Sequence, residues 1–263
     1  AFRQLEALIP SLSDEELKTW QFDDLIVDEG QDFEPPWAAA LFRLLAPGGR
    51  AWWLEDPMQN LYGRPPVVLP APADWVELRC ASNYRTPRAI LDSISAMIGD
   101  PVAPELAEHA AERAAGSPIL GRAPEILSYR DDAGLIEQTK RAIGLGIAAG
   151  FKRPMIAVLS YRGREKSVLS RLDKLGPYSL RSFSGDYDLL GNPTFSPGEI
   201  LLDSIMRFKG QAAPCVVLTE IAFAELDDKA RRRLFVGATR ATLALFLVAH
   251  EDSARRLREK APA

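Results

Sequence analysis

From Glu125 to Val248, apolar runs of strand length alternate with amphipathic runs of helix length, and that alternation leaves few folds open. Glu125–Tyr129, Met155–Ser160, Ile200–Phe208, Cys215–Thr219 and Leu243–Val248 read as strands. Asp131–Ala149, Arg164–Leu175 and Glu225–Ala241 read as helices, and a charged helix closes the chain. Such alternation predicts an α/β fold, a mainly parallel sheet with helices on both faces. Ligands of an open sheet of this kind bind beyond the carboxyl ends of its strands. Polar segments that follow strands are therefore where chemistry is expected.

The first 72 residues read as a separate piece. Ser13 with Glu16 forms a capping-box pattern that opens a short helix reaching about Trp20. Phe22–Val27 reads as a buried strand, Pro35-Pro36 as a helix start, and Trp37–Leu45 as the helix, closed by Gly48-Gly49. Ala51–Leu54 reads as a second buried strand, followed by a polar loop from Glu55 to Arg64. Pro65 to Pro72 is a proline-rich connector, which places a boundary between a piece at 1–72 and one at 73–263. Beyond it, Val76–Leu78 reads as a strand, and Thr86-Pro87 opens a helix through Ile98 with Thr86 as its cap. Residues 100–120 read as an excursion rich in Ala, Pro and charge, and Gly185 to Pro197 as the most flexible loop.

Composition excludes several classes. Hydrophobic residues make up 47% and charged residues 26%, values of an ordinary globular chain. No apolar run reaches membrane-spanning length, and the first residues lack a signal-peptide pattern. Cys80 and Cys215 lack metal-ligand spacing and read as reduced packing residues, which points to the cytoplasm. His109 and His250 are isolated, so no zinc site is expected. A net charge of −4 argues against a generally basic surface but leaves room for a local basic groove.

Asp28-Glu29-Gly30-Gln31-Asp32 follows the first strand. An acidic pair at a strand's carboxyl end suits a metal-orienting Asp28 and a proton-accepting Glu29. Glu55 to Tyr62 follows the second strand, and Gln59 within it suits sensing of a phosphate or a water. In Asn83-Tyr84-Arg85 a base-stacking Tyr84 stands beside a phosphate-neutralising Arg85. Arg207 to Gln211 ends a strand, and Gly210 permits a tight turn whose amides face a ligand. On the helix at 231–241, Leu234, Ala238 and Ala241 share one face, while Arg233, Gly237 and Arg240 share its neighbour. Arg240 there suits an arginine finger. Taken singly, each segment also fits an ordinary turn or a basic surface helix.

In sequence order the segments resemble the motifs of superfamily 1 helicases of the UvrD/Rep type. Residues 28–32 look like motif II, 55–62 like motif III, 78–86 like motif IV, 204–211 like motif V and 233–241 like motif VI. The resemblance implies two RecA-like domains of the P-loop NTPase type: the C-terminal remnant of the first at 1–72 and the whole second at 73–263. It implies ATP and Mg²⁺ as cofactors, hydrolysis between the two domains, and movement along single-stranded nucleic acid, DNA by preference. By that resemblance Asp28 serves Mg²⁺, Glu29 is the base and Gln59 couples the γ-phosphate to the strand-binding surface. Tyr84 stacks on adenine, and Arg85, Gly210 and Arg240 belong to the nucleotide site. Tyr62, Arg64, Arg162 and Arg164 are candidate nucleic-acid contacts, the last two in Tyr-Arg-Gly-Arg at 161–164.

The departures are specific. No G-x-x-x-x-G-K-[ST] phosphate loop occurs in the 263 residues, so it is expected in an N-terminal portion of the same protein, and this stretch alone is expected to be inactive. Gly30 stands where Ala is usual, Glu55 for Gly, Arg64 for a stacking Trp, Met206 for His and Ala212 for Glu. The interval between motifs IV and V leaves little room for an accessory subdomain. A helicase-like scaffold without ATPase activity is the alternative reading. A Rossmann-type small-molecule enzyme ranks last for want of a glycine fingerprint.

Overall fold

The computed structural model describes residues 11–71, 74–80, 83–99 and 121–260; the expected excursion at 100–120 lies outside them. The chain divides into two compact units, Ala1–Arg79 and Cys80–Ala263.

In the first unit the capping box forms as expected. Ser13 N donates to Glu16 Oε2 at 2.8 Å, Glu16 N donates to Ser13 Oγ at 3.3 Å, and the short helix α1 spans Asp14–Lys18. β1 (Phe22–Val27) then pairs in parallel with β2 (Leu45–Trp53) through α2 (Pro35–Phe42). The helix stops at Phe42, three residues short of the expected end. Gly48 and Gly49 do not close it but lie inside β2, where the register jumps from Phe22↔Leu45 to Asp24↔Arg50. Gly48 takes φ +78°, which a side chain would resist, and this accommodates the bulge. Contrary to expectation, β1 and β2 are not buried: Phe22, Ile26, Trp52 and Leu54 are exposed, and in β1 only Val27 is buried. Two strands alone cannot cover the apolar faces that a larger parallel sheet covers with helices.

The second unit carries the expected sheet. After α3 (Arg88–Ile98) come β3 (Glu125–Tyr129), α4 (Asp132–Ala148), β4 (Ile156–Ser160), β5 (Lys174–Leu175), β6 (Tyr178–Tyr187), β7 (Pro193–Phe195) and β8 (Ile200–Ser204). β9 (Ala213–Ile221), α5 (Asp228–Ala238), β10 (Ala241–His250) and α6 (Glu251–Lys260) follow. The strand order is β3-β10-β9-β4-β8-β6-β5, with β7 on β6; pairing is parallel from β3 to β6 and antiparallel for β5 and β7. α4 lays Leu135, Ala142 and Ile143 against Val158, Val217, Phe246 and Val248. Its Gly146 lies so close to Cys215 that an added Cβ would stand 3.1 Å from Sγ. On α5, an added Cβ at Gly237 would stand 2.7 Å from Leu218. Cys215 and Leu218 have opposite parity along β9, so α4 and α5 cover opposite faces. α3 packs against α5 and α6. No helix among the described residues is long and apolar enough to cross a membrane.

Several expectations fail in this unit and its approach, among them two ends: the strand expected to reach Phe208 stops at Ser204, and the helix expected to reach Ala241 stops at Ala238, so Arg240 lies in the turn beyond it. Val76–Leu78 is not a strand; it runs irregularly with Val76 and Leu78 exposed. Arg164–Leu175 is not a helix but turns, a 3₁₀ turn at Leu169–Arg171 and the short β5. There Val168 N donates to the buried Glu220 carboxylate at 2.7 Å, and the Ser170 hydroxyl donates to Arg164 O at 2.8 Å, so local and distant oxygens take the backbone away from a helix. Residues 185–197 are not a loose loop but the β6–β7 hairpin, whose turn is held by Asp188 Oδ1 accepting from Leu190 N at 2.9 Å and Asn192 N at 2.8 Å. Cys80 is exposed, so only Cys215 is a packing residue; burial pushes its thiol up to about 12.

Candidate functional site

The predicted residues fall into two groups, one in each unit. In the first, β1 ends at Val27 and delivers Asp28 and Glu29. Asp28 is exposed, and its Oδ1 accepts from Glu29 N at 2.9 Å. Glu29 adopts the left-handed conformation, φ 56° and ψ 42°, a state most side chains avoid. That twist turns the chain into a 3₁₀ turn, Gly30–Asp32, and brings Gln31 beneath the Glu29 carboxylate. Gln31 Nε2 donates to Glu29 Oε2 at 2.5 Å.

From Gln31 a line of hydrogen bonds runs to the loop after β2. Asp56 N donates to Gln31 Oε1 at 2.8 Å, and Gln59 Nε2 donates to Asp56 Oδ2 at 2.6 Å. Asp56 Oδ1 also accepts from Met58 N at 3.1 Å, which shapes the 3₁₀ turn Pro57–Gln59. Gln31, Asp56 and Gln59 are each at least nine-tenths buried. The amide orientations follow from the partners: a backbone N–H requires Oε1 of Gln31, and a carboxylate requires an NH₂ group. Glu29 and Gln59, chosen from the sequence, are thus joined through Gln31 and Asp56, which were not chosen.

Two departures from the family pattern are one feature here. Trp53 lies flat against Gly30, where an added Cβ would come within 2.4 Å of the indole Nε1. The same Nε1 donates to Glu55 Oε2 at 2.8 Å. The indole also packs near the rings of Phe33 and Phe42, with centroids 5.7 and 6.0 Å away. The missing methyl at Gly30 makes room for Trp53, and the carboxylate at Glu55 satisfies its N–H.

Arg64 pairs with Glu34 and stacks over Trp37, 4.4 Å from the ring centroid, and over Tyr62 at 5.4 Å. Its side chain is engaged with the protein, whereas Tyr62 is half exposed.

In the second unit Tyr84 and Arg85 are exposed ahead of α3. Asn83 Oδ1 accepts from Arg85 N at 3.0 Å and Thr86 N at 2.9 Å and so shapes this turn. The expected cap role of Thr86 is not what forms: Pro87 precedes α3 without a side-chain cap, and the Thr86 hydroxyl donates to Thr239 O at 3.0 Å. That bond joins the segment of Arg85 to the segment of Arg240. Arg240 is fully buried; Nε donates to Val236 O at 3.1 Å, Nη1 to Gln211 O at 3.4 Å and Nη2 to Thr239 Oγ1 at 3.3 Å. A cation there meets the negative end of α5. Gly210, φ +81° and exposed, precedes Gln211 in the turn that crosses from β8 to β9.

Tyr84, Arg85, Gly210 and Arg240 therefore gather at one end of the sheet. It is the amino end of β9 and β10, where Ala213 N donates to Arg240 O at 2.9 Å, not the carboxyl end that the strand rule led us to expect. Only Arg162 and Arg164 lie at the carboxyl end, after β4. Arg162 is half buried near Tyr129, whose hydroxyl is raised above its ordinary pKa by burial, with the Arg162 charge opposing. Arg164 is exposed, 5.1 Å above the Phe183 ring, which Arg207 covers at 3.6 Å. Glu220 escaped the sequence reading: fully buried, φ +61°, it accepts from the Ser160 hydroxyl and Val168 N and pins the loop that carries both arginines. A lone acid in an otherwise apolar strand was its signal.

Among the described residues no three His, Cys, Asp or Glu side chains converge to hold a metal ion. An exposed Asp28 fits Mg²⁺ nonetheless, since that ion is commonly held by one or two carboxylates together with phosphates and water.

Residues 199–248 match the family model of the UvrD-like helicase C-terminal domain. That span runs from the start of β8 almost to the end of β10 and includes Gly210 and Arg240. A solved structure, the C-terminal domain of a possible DNA helicase from Lactobacillus plantarum WCFS1, is similar at 15% identity and a TM-score of 0.44, covering 67% of this chain and 94% of that one. Comparison with curated proteins finds no match. The family match supports a UvrD-type helicase C-terminal segment, the resemblance already carried by the motif order.

Proposed function

We propose that the chain is the C-terminal part of an ATP-dependent motor that moves on single-stranded DNA. The observation that carries this is the family match over 199–248, which falls on two of the five segments that stand in helicase order.

Each group then has a role. Asp28 would hold Mg²⁺, which when bound neutralises phosphate charge. Glu29, fixed by its left-handed backbone and by Gln31, would take the proton of the attacking water. Gln59 would orient that water or sense the phosphate, steadied by Asp56. Tyr84, which is exposed, would bear on the adenine ring. Arg85 would stabilise charge on the γ-phosphate, and the turn at Gly210 would leave backbone amides accessible. Arg240 would join Arg85 by exchanging its contacts with Val236 O and Gln211 O for phosphate oxygens. The phosphate-cradling loop would come from an N-terminal portion of the same protein. Tyr62, Arg162 and Arg164 would serve the DNA strand by stacking and phosphate contact, with Arg64 holding Tyr62 in place.

The test is ATP hydrolysis by the full-length protein with and without single-stranded DNA. The expected result is a rate that rises with DNA and falls by roughly a hundredfold or more in Glu29→Gln, as loss of a general base implies. The 263-residue chain alone is expected to show no turnover above its own Glu29→Gln control. A full-length protein that binds DNA but shows no hydrolysis would favour the scaffold reading.

A further inference from the structure

We infer that Glu220 is the positioning residue for Arg162 and Arg164, holding with one carboxylate the loop that offers both to a nucleic-acid strand; this rests on the reading of the two arginines as strand contacts. β9 and β10 are in register at Leu218↔Leu247 and again at Ile221↔Ala249, so β9 spends one residue more than β10 over this stretch. The extra residue makes a bulge at 219–220, and Glu220 within it takes φ +61°. Glycine adopts that conformation freely and a glutamate does not, so the side chain is held there by what it binds. Thr219 faces α4, where its hydroxyl meets that of Thr139 at 2.8 Å. An unbent strand would therefore aim Glu220 at the α5 face beside Leu218. The bulge turns it toward the end of β4 instead.

There one carboxylate oxygen accepts from the Ser160 hydroxyl and the other from Val168 N at 2.7 Å. Ser160 is the last residue of β4 and Val168 lies beyond Arg164, so a single side chain holds both ends of the loop that carries the arginines. Glu220 and Ser160 are buried, which keeps water from competing for the clamp. The clamp works against a local preference. Val168, Leu172 and Leu175 have helical spacing, and a helix that began at Arg164 would need Val168 N to donate to Arg164 O. Glu220 takes that donor, while Ser167 N at 3.4 Å and the Ser170 hydroxyl at 2.8 Å take that acceptor. Gly163, φ +87°, makes the turn between the two arginines, and Arg164 rests 5.1 Å above the Phe183 ring. Without Glu220 the donor is returned to the chain, and nothing distant opposes the helix that would carry Arg164 off that ring.

The experiment uses the full-length protein and two readouts. Glu220→Gly keeps the left-handed backbone without strain and removes the clamp. Hydrogen exchange of the backbone amides across 161–170 is expected to quicken roughly tenfold or more in this variant. Its affinity for a single-stranded DNA oligonucleotide is expected to fall about tenfold, and the slope of log affinity against log salt to lessen by about 1.4, as loss of two phosphate contacts implies. Adding Arg162→Ala and Arg164→Ala to Glu220→Gly is expected to weaken binding little further, since all three act at one place. Glu220→Gln, whose amide oxygen can accept from Val168 N while its NH₂ donates to the Ser160 hydroxyl, is expected to recover most of the affinity. Should Glu220→Gly fail to fold, Ser160→Ala frees one arm of the clamp and is read by the same two measures. Unchanged exchange overturns the clamp. Quickened exchange with unchanged affinity and slope, or losses that simply add, overturns the positioning role. If the natural protein binds no single-stranded DNA, the strand reading and the role built on it fail together, while exchange still decides whether Glu220 holds the loop.

Discussion

The two units hold their residues by different means. The second has a continuous sheet whose middle strands, β4 and β9, are buried along nearly their whole length between helices. The first has two strands with exposed apolar faces, and its order comes from the Trp53 cluster and from a line of buried polar groups. Core packing fixes a fold but leaves ligands outside it, whereas a polar line fixes the positions of its own side chains, here Glu29 and Gln59.

The largest break in this comparison comes from the core. Leu159→Ala in β4, at a fully buried site, is expected to cost about 2–5 kcal/mol. Ile26→Ala in β1, at a residue 69% exposed, is expected to cost about 0.5 kcal/mol or less. Urea unfolding of both variants checks this, and equal losses would mean that the two-stranded sheet is covered in solution.

Next is Gly30→Ala. The new methyl would overlap the Trp53 ring, with three indole atoms within 2.9 Å. The indole must move and give up Glu55, at a cost of about 1–3 kcal/mol. Loss of the shifted Trp53 N–H resonance together with a lower unfolding midpoint is the expected result. An unchanged resonance would show that the ring does not rest on Gly30.

The smallest effect is one of pH in the second unit. Burial holds the Asp203 carboxyl above its ordinary range, against Ser204 N and Arg207, which draw it down. A raised acid favours the fold while protonated. Its contribution is full below the unfolded pKa and is lost as pH climbs through the folded one. Asp203→Asn cannot ionise, so it is expected to gain stability relative to the natural chain as pH rises from about 4 toward neutrality. Unfolding midpoints at several pH values check the sign, and a variant that loses stability relative to the natural chain as pH rises would reverse it.

Much of the second unit was legible because strands buried on both faces leave unbroken apolar runs, as at Ile156–Ser160 and Ala213–Ile221. The 164–175 segment was not, although Val168, Leu172 and Leu175 have helical spacing. What unmakes the helix is Glu220, some fifty residues away, and no local pattern shows it. The ends of the polar line were legible as an acidic pair and an isolated Gln. Its middle was not, because Gln31 and Asp56 act through bonds that only the pairing of β1 with β2 brings within reach. The buried seat of Arg240 was equally hidden, since its partners are backbone carbonyls, which a sequence does not mark.

Movement is measured most directly by stopped-flow arrival of the full-length protein at the labelled end of single-stranded oligonucleotides of increasing length. With ATP, the delay before the signal is expected to grow with length and to vanish in Glu29→Gln. A signal whose timing ignores length in the natural protein, while DNA binding is intact, would contradict a motor.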